Sequence, residues 1–364
     1  MSFCDLAVSG VAELQPYVPG KPIEELQRQY GVRDVIKLAS NENPLGPSKA
    51  ALAAVAKSAK EMTRYPDGNG YSLKMALAEK LRLSPEQITL GNGSNDVLEL
   101  LARTFAGHGD EIIYSEHAFA VYPLAAKAIG ATGIATPAKD YCHDLNAMLK
   151  AITAKTKLIF IANPNNPTGT WIEPSEIHAF LDKVPEKVLV VLDEAYVEYL
   201  EQTEISISWL QDFDNLVITR TFSKAYGLAG LRIGYALSHP EIADLLNRIR
   251  QPFNANSLAQ AAAVAALGDE AYLQESRQKN EAGMKQLIAG FDKMGLKFIP
   301  SKGNFITVNV QTNAAEVYDE LLYEGVIVRP VAGYGLPQHL RVSIGLEQEN
   351  QRFLEALSRV MGRG

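Results

Sequence analysis

The chain has 364 residues, 47% hydrophobic and 21% charged, with a formal net charge of -7 and a pI near 5.5. That is the composition of a soluble globular protein of about two domains, and without a basic block to neutralise a run of phosphates it excludes a nucleic-acid surface. Cys4 and Cys142 have no disulfide-framework or zinc-site spacing. No stretch approaches the ~20 apolar residues of a membrane span and the N-terminus lacks a secretory pattern, so a cytoplasmic protein without a metal is the expectation.

Residues 1–35 contain Pro16, Pro19, Gly20 and Pro22 and read as an arm, with a rigid aromatic turn at Tyr17 and helical apolar spacing over 23–30. A short strand at 36–39 leads into a loop of turn formers at 40–47, a helix over 49–61, and a second long turn at 64–70 with Tyr65 at its base. From residue 72 helix and strand alternate. Helices are predicted over 72–83, 95–105, 121–129, 145–152 and 175–181, and strands over 88–90, 111–114, 132–135, 158–162, 188–192 and 216–218.

Near-continuous apolar strands separated by helices predict an α/β fold whose mostly parallel sheet is covered by helices on both faces. A strand at 235–237 and a helix over 240–250 precede a hinge-like stretch at 251–256. A short alanine-rich helix at 258–267 and a long helix at 272–293 follow, then strands at 305–310, 326–328 and 340–343 and an amphipathic helix at 347–360. The expected division is an arm at 1–35, a large domain at 36–250 and a smaller α/β domain at 251–364.

Ligands of such sheets gather beyond the carboxyl ends of the strands. Four polar clusters fall there: Gly91-Asn-Gly-Ser-Asn95, Asn163-Pro-Asn-Asn-Pro-Thr-Gly169, Asp193-Glu-Ala-Tyr196 and Ser223-Lys224. Ser94 and Asn95 ahead of a helix suit a phosphate, through unpaired N–H groups at the positive end of the helix dipole; Ser94 reads equally as a plain N-cap. Ser223 and Arg232 can join the same anion, although Arg232 is also readable as a surface charge.

Lys224 stands among Gly227, Gly230 and Gly234, where backbone can approach a bulky ligand. A partly desolvated lysine there is a competent nucleophile toward a carbonyl carbon, and an exposed salt-bridging lysine is the alternative. Asp193 follows five apolar residues, and a buried carboxylate calls for a cationic partner unless it caps a helix. An amine for an aldehyde, an anion cradle and a buried carboxylate are what pyridoxal 5'-phosphate requires.

The motifs Ser223-Lys-Ala, Gly230-Leu-Arg-Ile-Gly234, Asn165-Asn-Pro-Thr-Gly169 and Asp193-Glu-Ala-Tyr196 closely resemble those of fold-type I pyridoxal-phosphate-dependent aminotransferases. With the stretches at 37–46, 64–68 and 340–345, the resemblance runs from about Tyr17 to the C-terminal helix and is to the branch that acts on histidinol phosphate. It implies that Lys224 holds the cofactor and shuttles a proton as base and then acid. Asp193 pairs with the ring nitrogen, and Asn166 and Tyr196 bond the ring's phenolic oxygen.

By the same resemblance Ser94, Asn95, Ser223 and Arg232 hold the cofactor phosphate, and Phe119 stacks on the ring where many relatives carry tyrosine. Tyr65 reaches the phosphate from the neighbouring subunit, which implies a homodimer with composite sites. Arg341 grips the substrate carboxylate, Arg329 serves a second anionic group, and Tyr17 assists at the substrate phosphate. The implied reaction belongs to histidine biosynthesis and moves an amino group between L-histidinol phosphate and 2-oxoglutarate, giving imidazole acetol phosphate and L-glutamate. An aromatic amino-acid transaminase and a threonine-phosphate decarboxylase share the fold and are the alternatives. A regulatory module without turnover would need a basic helix-turn-helix segment, which the sequence lacks.

Overall fold

A seven-stranded sheet forms the centre of the computed structural model, which describes residues 3–8, 10–16 and 20–362. In spatial order its strands are Ile88–Gly91, Gly234–Ser238, Leu216–Thr221, Leu189–Asp193, Thr156–Ala162, Glu111–Ser115 and Thr132–Thr136. Gly234–Ser238 runs antiparallel to both of its neighbours, and the remaining pairs are parallel. The fold is the α/β architecture expected from the alternating pattern.

The apolar runs follow from burial on both faces. Along Thr156–Ala162, Ile159 and Ile161 enter one core, while Leu158, Phe160 and Ala162 enter the other, as the two-residue period of a strand requires. The first core also holds Leu73, Leu77, Phe180 and Ala259, from helices Tyr71–Leu81, Pro174–Leu181 and Ser257–Leu267. The second holds Val97, Leu101, Tyr122 and Leu246, from helices Ser94–Phe105, Val121–Ala128 and Pro240–Ile249.

A smaller antiparallel sheet orders Phe298–Ile299, Phe305–Asn309, Leu336–Ser343 and Arg329–Val331. Helices Glu270–Lys293, Ala314–Tyr323 and Glu347–Val360 cover it through Leu287, Phe291, Leu321 and Phe353. The expected boundaries differ from the packing at two places. Strand Ile36–Lys37 pairs in parallel with Val326–Ile327 and Leu38 joins the small core, so the chain touches the small unit before it builds the large sheet. Helix Ser257–Leu267 packs its alanines into the large core, and the changeover falls within Glu270–Lys293, whose Leu273 belongs to the large core and Leu287 to the small one.

Candidate active site

Strand register brings the polar clusters to one end of the large sheet. Gly234 lies opposite Gly91 on one side and Thr221 on the other, so the residues after Gly91, the residues after Thr221 and those before Gly234 converge. Asp193 lies opposite Ala162 and Thr219, which adds the ends of the next two strands. The result is a cavity of about 890 Å³, its open mouth included, lined by Ser94, Asn95, Phe119, Asn166, Asp193, Tyr196, Ser223, Lys224, Arg232, Arg329 and Arg341.

Two glycines make the anion cradle possible. A Cβ on Gly234 would lie 2.4 Å from the Ser94 backbone nitrogen, and one on Gly93 would lie 2.5 Å from Arg232 Nη2, so helix start and guanidinium close on one point only without side chains there. Gly93, with φ of 84°, is the N-cap residue, and helix Ser94–Phe105 begins at Ser94 itself. The N-cap reading of Ser94 is therefore corrected by one residue, because the turn needs a conformation that glycine alone adopts readily. Arg232 Nη1 lies 3.4 Å from Ser223 Oγ and donates to the Ala229 carbonyl at 3.2 Å.

Lys224 is half-buried, and its Nζ donates to the Ser40 carbonyl at 3.1 Å, 5.9 Å from the Tyr196 ring centroid. Burial, and then the guanidinium of Arg341, push its pKa down to about 7. Asp193 is 4% exposed and accepts hydrogen bonds from Tyr122 Oη at 2.8 Å and Thr219 Oγ1 at 3.1 Å. Burial raises its pKa to about 6 against the opposing pull of those two donors. A buried carboxylate held by neutral donors and facing a cavity is a receptor for a ligand N–H⁺.

Asn166 Oδ1 accepts from Arg341 Nη1 at 2.6 Å, and Arg341 Nη2 donates to the Ala39 carbonyl at 2.6 Å. Tyr196 Oη accepts from Asn41 Nδ2 at 2.9 Å, and burial raises its pKa to about 12, so the phenol keeps its proton. Phe119 meets Tyr122 edge-on at 5.9 Å between centroids.

Tyr65 does not line this cavity. Tyr65 is 82% exposed, stacked on Phe253 at 4.7 Å, and lines a separate surface hollow with Arg64 and Asn256. Tyr17 lies outside the described residues. Sequence reasoning missed Tyr122, Thr219 and Asn41. Thr219 was open to discovery, since its strand ends beside that of Asp193, whereas Tyr122 sits in a helix whose pattern shows only a core face. Among the described residues no group of three His, Cys, Asp or Glu side chains is placed to hold a metal, and no helix is long and apolar enough to cross a membrane.

A low-pKa lysine, a buried carboxylate and a helix N-terminus set around one cavity on this two-unit fold define the fold-type I class of pyridoxal-phosphate enzymes. The chain belongs to the family "Aminotransferase class I and II", which it matches over residues 33–357. It is 59% identical over 367 residues to histidinol-phosphate aminotransferase 2 of Pseudomonas fluorescens strain Pf0-1, covering 100% of this chain and 99% of that protein. With histidinol-phosphate aminotransferase 1 of Nitrosococcus oceani it is 57% identical over 361 residues, covering 99% and 98%. The crystal structure of histidinol-phosphate aminotransferase from Sinorhizobium meliloti in complex with pyridoxal-5'-phosphate superposes with a TM-score of 0.89 at 32% identity, over 96% of this chain and 97% of that one.

Proposed function

We propose that this chain is a pyridoxal-phosphate-dependent transaminase that moves an amino group between L-histidinol phosphate and 2-oxoglutarate, giving imidazole acetol phosphate and L-glutamate. The observation that carries this reading is the single cavity in which Lys224, Asp193 and the start of helix Ser94–Phe105 face a pair of arginines, Arg329 and Arg341. The full-length likeness to histidinol-phosphate aminotransferases supports the choice of substrates.

The residues fit the cofactor. The cradle that a Cβ on Gly93 or Gly234 would fill suits its phosphate, and Asp193, whose hydrogen bonds come from neutral donors, suits its ring nitrogen. When bound, pyridoxal phosphate supplies an aldehyde to take up the amino group and a ring that withdraws electrons from the carbon losing its proton.

Lys224 Nζ would hold that aldehyde and, once displaced by the substrate amine, would serve as base and then acid, its depressed pKa leaving the released amine able to take a proton near pH 7. Asp193, with Tyr122 and Thr219 donating to its two oxygens, would pair as a carboxylate with the ring N–H. Asn166 and Tyr196, which line the cavity, would hold the ring's phenolic oxygen, and Phe119 would cover the ring face. Arg341 and Arg329 grip the substrate's anionic groups; phosphate and carboxylate both accept a guanidinium through paired hydrogen bonds, so one pair of arginines serves both half-reactions.

Exposed Tyr65 reaches the cofactor phosphate of a second subunit, which makes the working unit a homodimer. The enzyme of this reading works in the cytoplasm. Single-turnover spectra with histidinol phosphate against phenylalanine, with assay of released carbon dioxide from threonine phosphate, test the assignment. Histidinol phosphate reacting much the fastest is the expected result, and equal rates reject the specificity.

A further inference from the structure

Asn41 lies in the loop between strand Ile36–Lys37 and helix Lys49–Ser58, is 1% exposed, and holds a left-handed φ of 54°. All its polar groups are engaged. Its N–H donates to Ser343 Oγ at 2.8 Å and its carbonyl accepts from Asn304 Nδ2 at 3.0 Å. Its Oδ1 accepts from Ser343 Oγ at 3.1 Å, and its Nδ2 donates to Tyr196 Oη at 2.9 Å.

The hydroxyl of Ser343 has one proton, and committing it to Oδ1 fixes which end of the amide faces Tyr196. A phenol also has one proton. Because the Tyr196 oxygen already accepts from Asn41, that proton is left for the cavity, which both side chains line. Ser343 is two residues beyond Arg341 in strand Leu336–Ser343, so the two side chains leave the same face of the strand.

We propose that Asn41 is a positioning residue for Tyr196: locked by Ser343, it turns the phenol proton toward the cofactor's phenolic oxygen and ties that orientation to the strand that carries the substrate-gripping Arg341. The inference rests on the cofactor reading above.

The test is a pH titration of the visible absorbance of pyridoxal-phosphate-loaded wild type, Asn41→Ala, Ser343→Ala, Tyr196→Phe and the Asn41→Ala/Tyr196→Phe double variant. The midpoint is expected to rise by about one unit in Asn41→Ala, a tenfold change in proton affinity, and by less in Ser343→Ala. In the double variant it should rise no further than in Tyr196→Phe alone. A wild-type midpoint in Asn41→Ala alongside a shifted Tyr196→Phe, or additive shifts in the double variant, would overturn the proposal. Should alanine in the left-handed conformation unfold the chain, Ser343→Ala decides, a raised midpoint supporting the proposal and an unchanged one overturning it. A wild type with no pH-dependent visible band overturns the cofactor reading, and this inference with it.

Discussion

Arg329 stands directly opposite Arg341 in the antiparallel pair formed by strands Arg329–Val331 and Leu336–Ser343, and both line the cavity. Two guanidiniums on one face of a strand pair repel each other, and a ligand carrying two anionic groups, or a doubly charged one, relieves that repulsion. Arg341 is the more enclosed, with its forked donors on Asn166 and Ala39. Arg341→Lys is expected to lower kcat/KM by about 10- to 100-fold for both histidinol phosphate and 2-oxoglutarate, since a charged hydrogen bond contributes about 1.5–3 kcal/mol. Arg329→Gln should act unequally on the two substrates. Steady-state kinetics of both half-reactions check this, and an unimpaired Arg341→Lys enzyme would remove the arginine from substrate binding.

Lys224 links the site to stability. Its pKa falls from the ordinary 10.5 to about 7, so between those values the unfolded chain binds the proton more readily than the folded one. Stability of the cofactor-free protein therefore declines as pH drops through that window and changes no further below it. The full shift corresponds to about 5 kcal/mol, and the side chain's partial access to solvent reduces this to about 2 kcal/mol. Cofactor-free Lys224→Met should resist urea better than wild type at neutral pH, with the difference closing near pH 10.5, while turnover is abolished. Equal resistance across that range would show that the amine is not desolvated in solution.

The large sheet was legible because its central strands are apolar on both faces and four of its seven strands lead into polar clusters. The helix Glu347–Val360 was read with its observed bounds because one stripe of it faces the core. What escaped was short or non-local. Arg329–Val331 and Phe298–Ile299 are too brief for a two-residue period to show, and the hairpin of Ala138–Lys139 with Cys142–His143 turns through Asp140 and Tyr141 at positive φ without a glycine. The bond from Tyr122 to Asp193 spans 71 residues, and that from Asn41 to Ser343 spans 302; no local pattern announces either. The lysine, the carboxylate and the phosphate cradle were visible because each lies at or just after a strand end, whereas the side chains that orient them come from a helix, a loop and a neighbouring strand.

Asp193 carries the opposite pH signature. Its carboxyl is raised from 3.8 to about 6, mainly by burial, so the folded state holds its proton more tightly than the unfolded one. The contribution is fully present below pH 3.8 and is lost as pH rises through about 6. Asp193→Asn should therefore leave cofactor-free stability unchanged near pH 4 and raise it at pH 7, yet weaken pyridoxal phosphate binding by about tenfold or more, a charge-assisted bond being lost. Tyr122→Phe strips one donor from the same carboxylate and should cost about 1–3 kcal/mol of stability at pH 7. Calorimetry with and without the cofactor reads both effects; cofactor affinity untouched by Asp193→Asn would place the ring nitrogen elsewhere.

Gly234→Ala tests the cradle without altering any charged group. The added methyl would meet the Ser94 nitrogen at 2.4 Å, and backbone on both sides leaves no flexible tip to give way. The start of helix Ser94–Phe105 must then move off Arg232, and pyridoxal phosphate affinity should fall at least tenfold. Equilibrium dialysis checks this, with Gly230→Ala, where nothing lies within 4 Å, as the control that should bind normally.

Tyr65 provides the test of composite sites, since an aromatic ring 82% exposed on one chain has no reason to affect a cavity it does not line. If it serves the neighbour, Tyr65→Ala and Lys224→Ala damage different halves of each site. In a two-fold dimer made of one chain of each kind, one site inherits both defects and the other inherits neither. Random mixing of equal amounts of the two nearly inactive proteins, unfolded and refolded together, should recover roughly a quarter of the wild-type activity, because half the dimers are hybrids with one intact site in two. If Tyr65 acted only within its own chain, every site in every dimer would keep one defect and mixing would recover nothing.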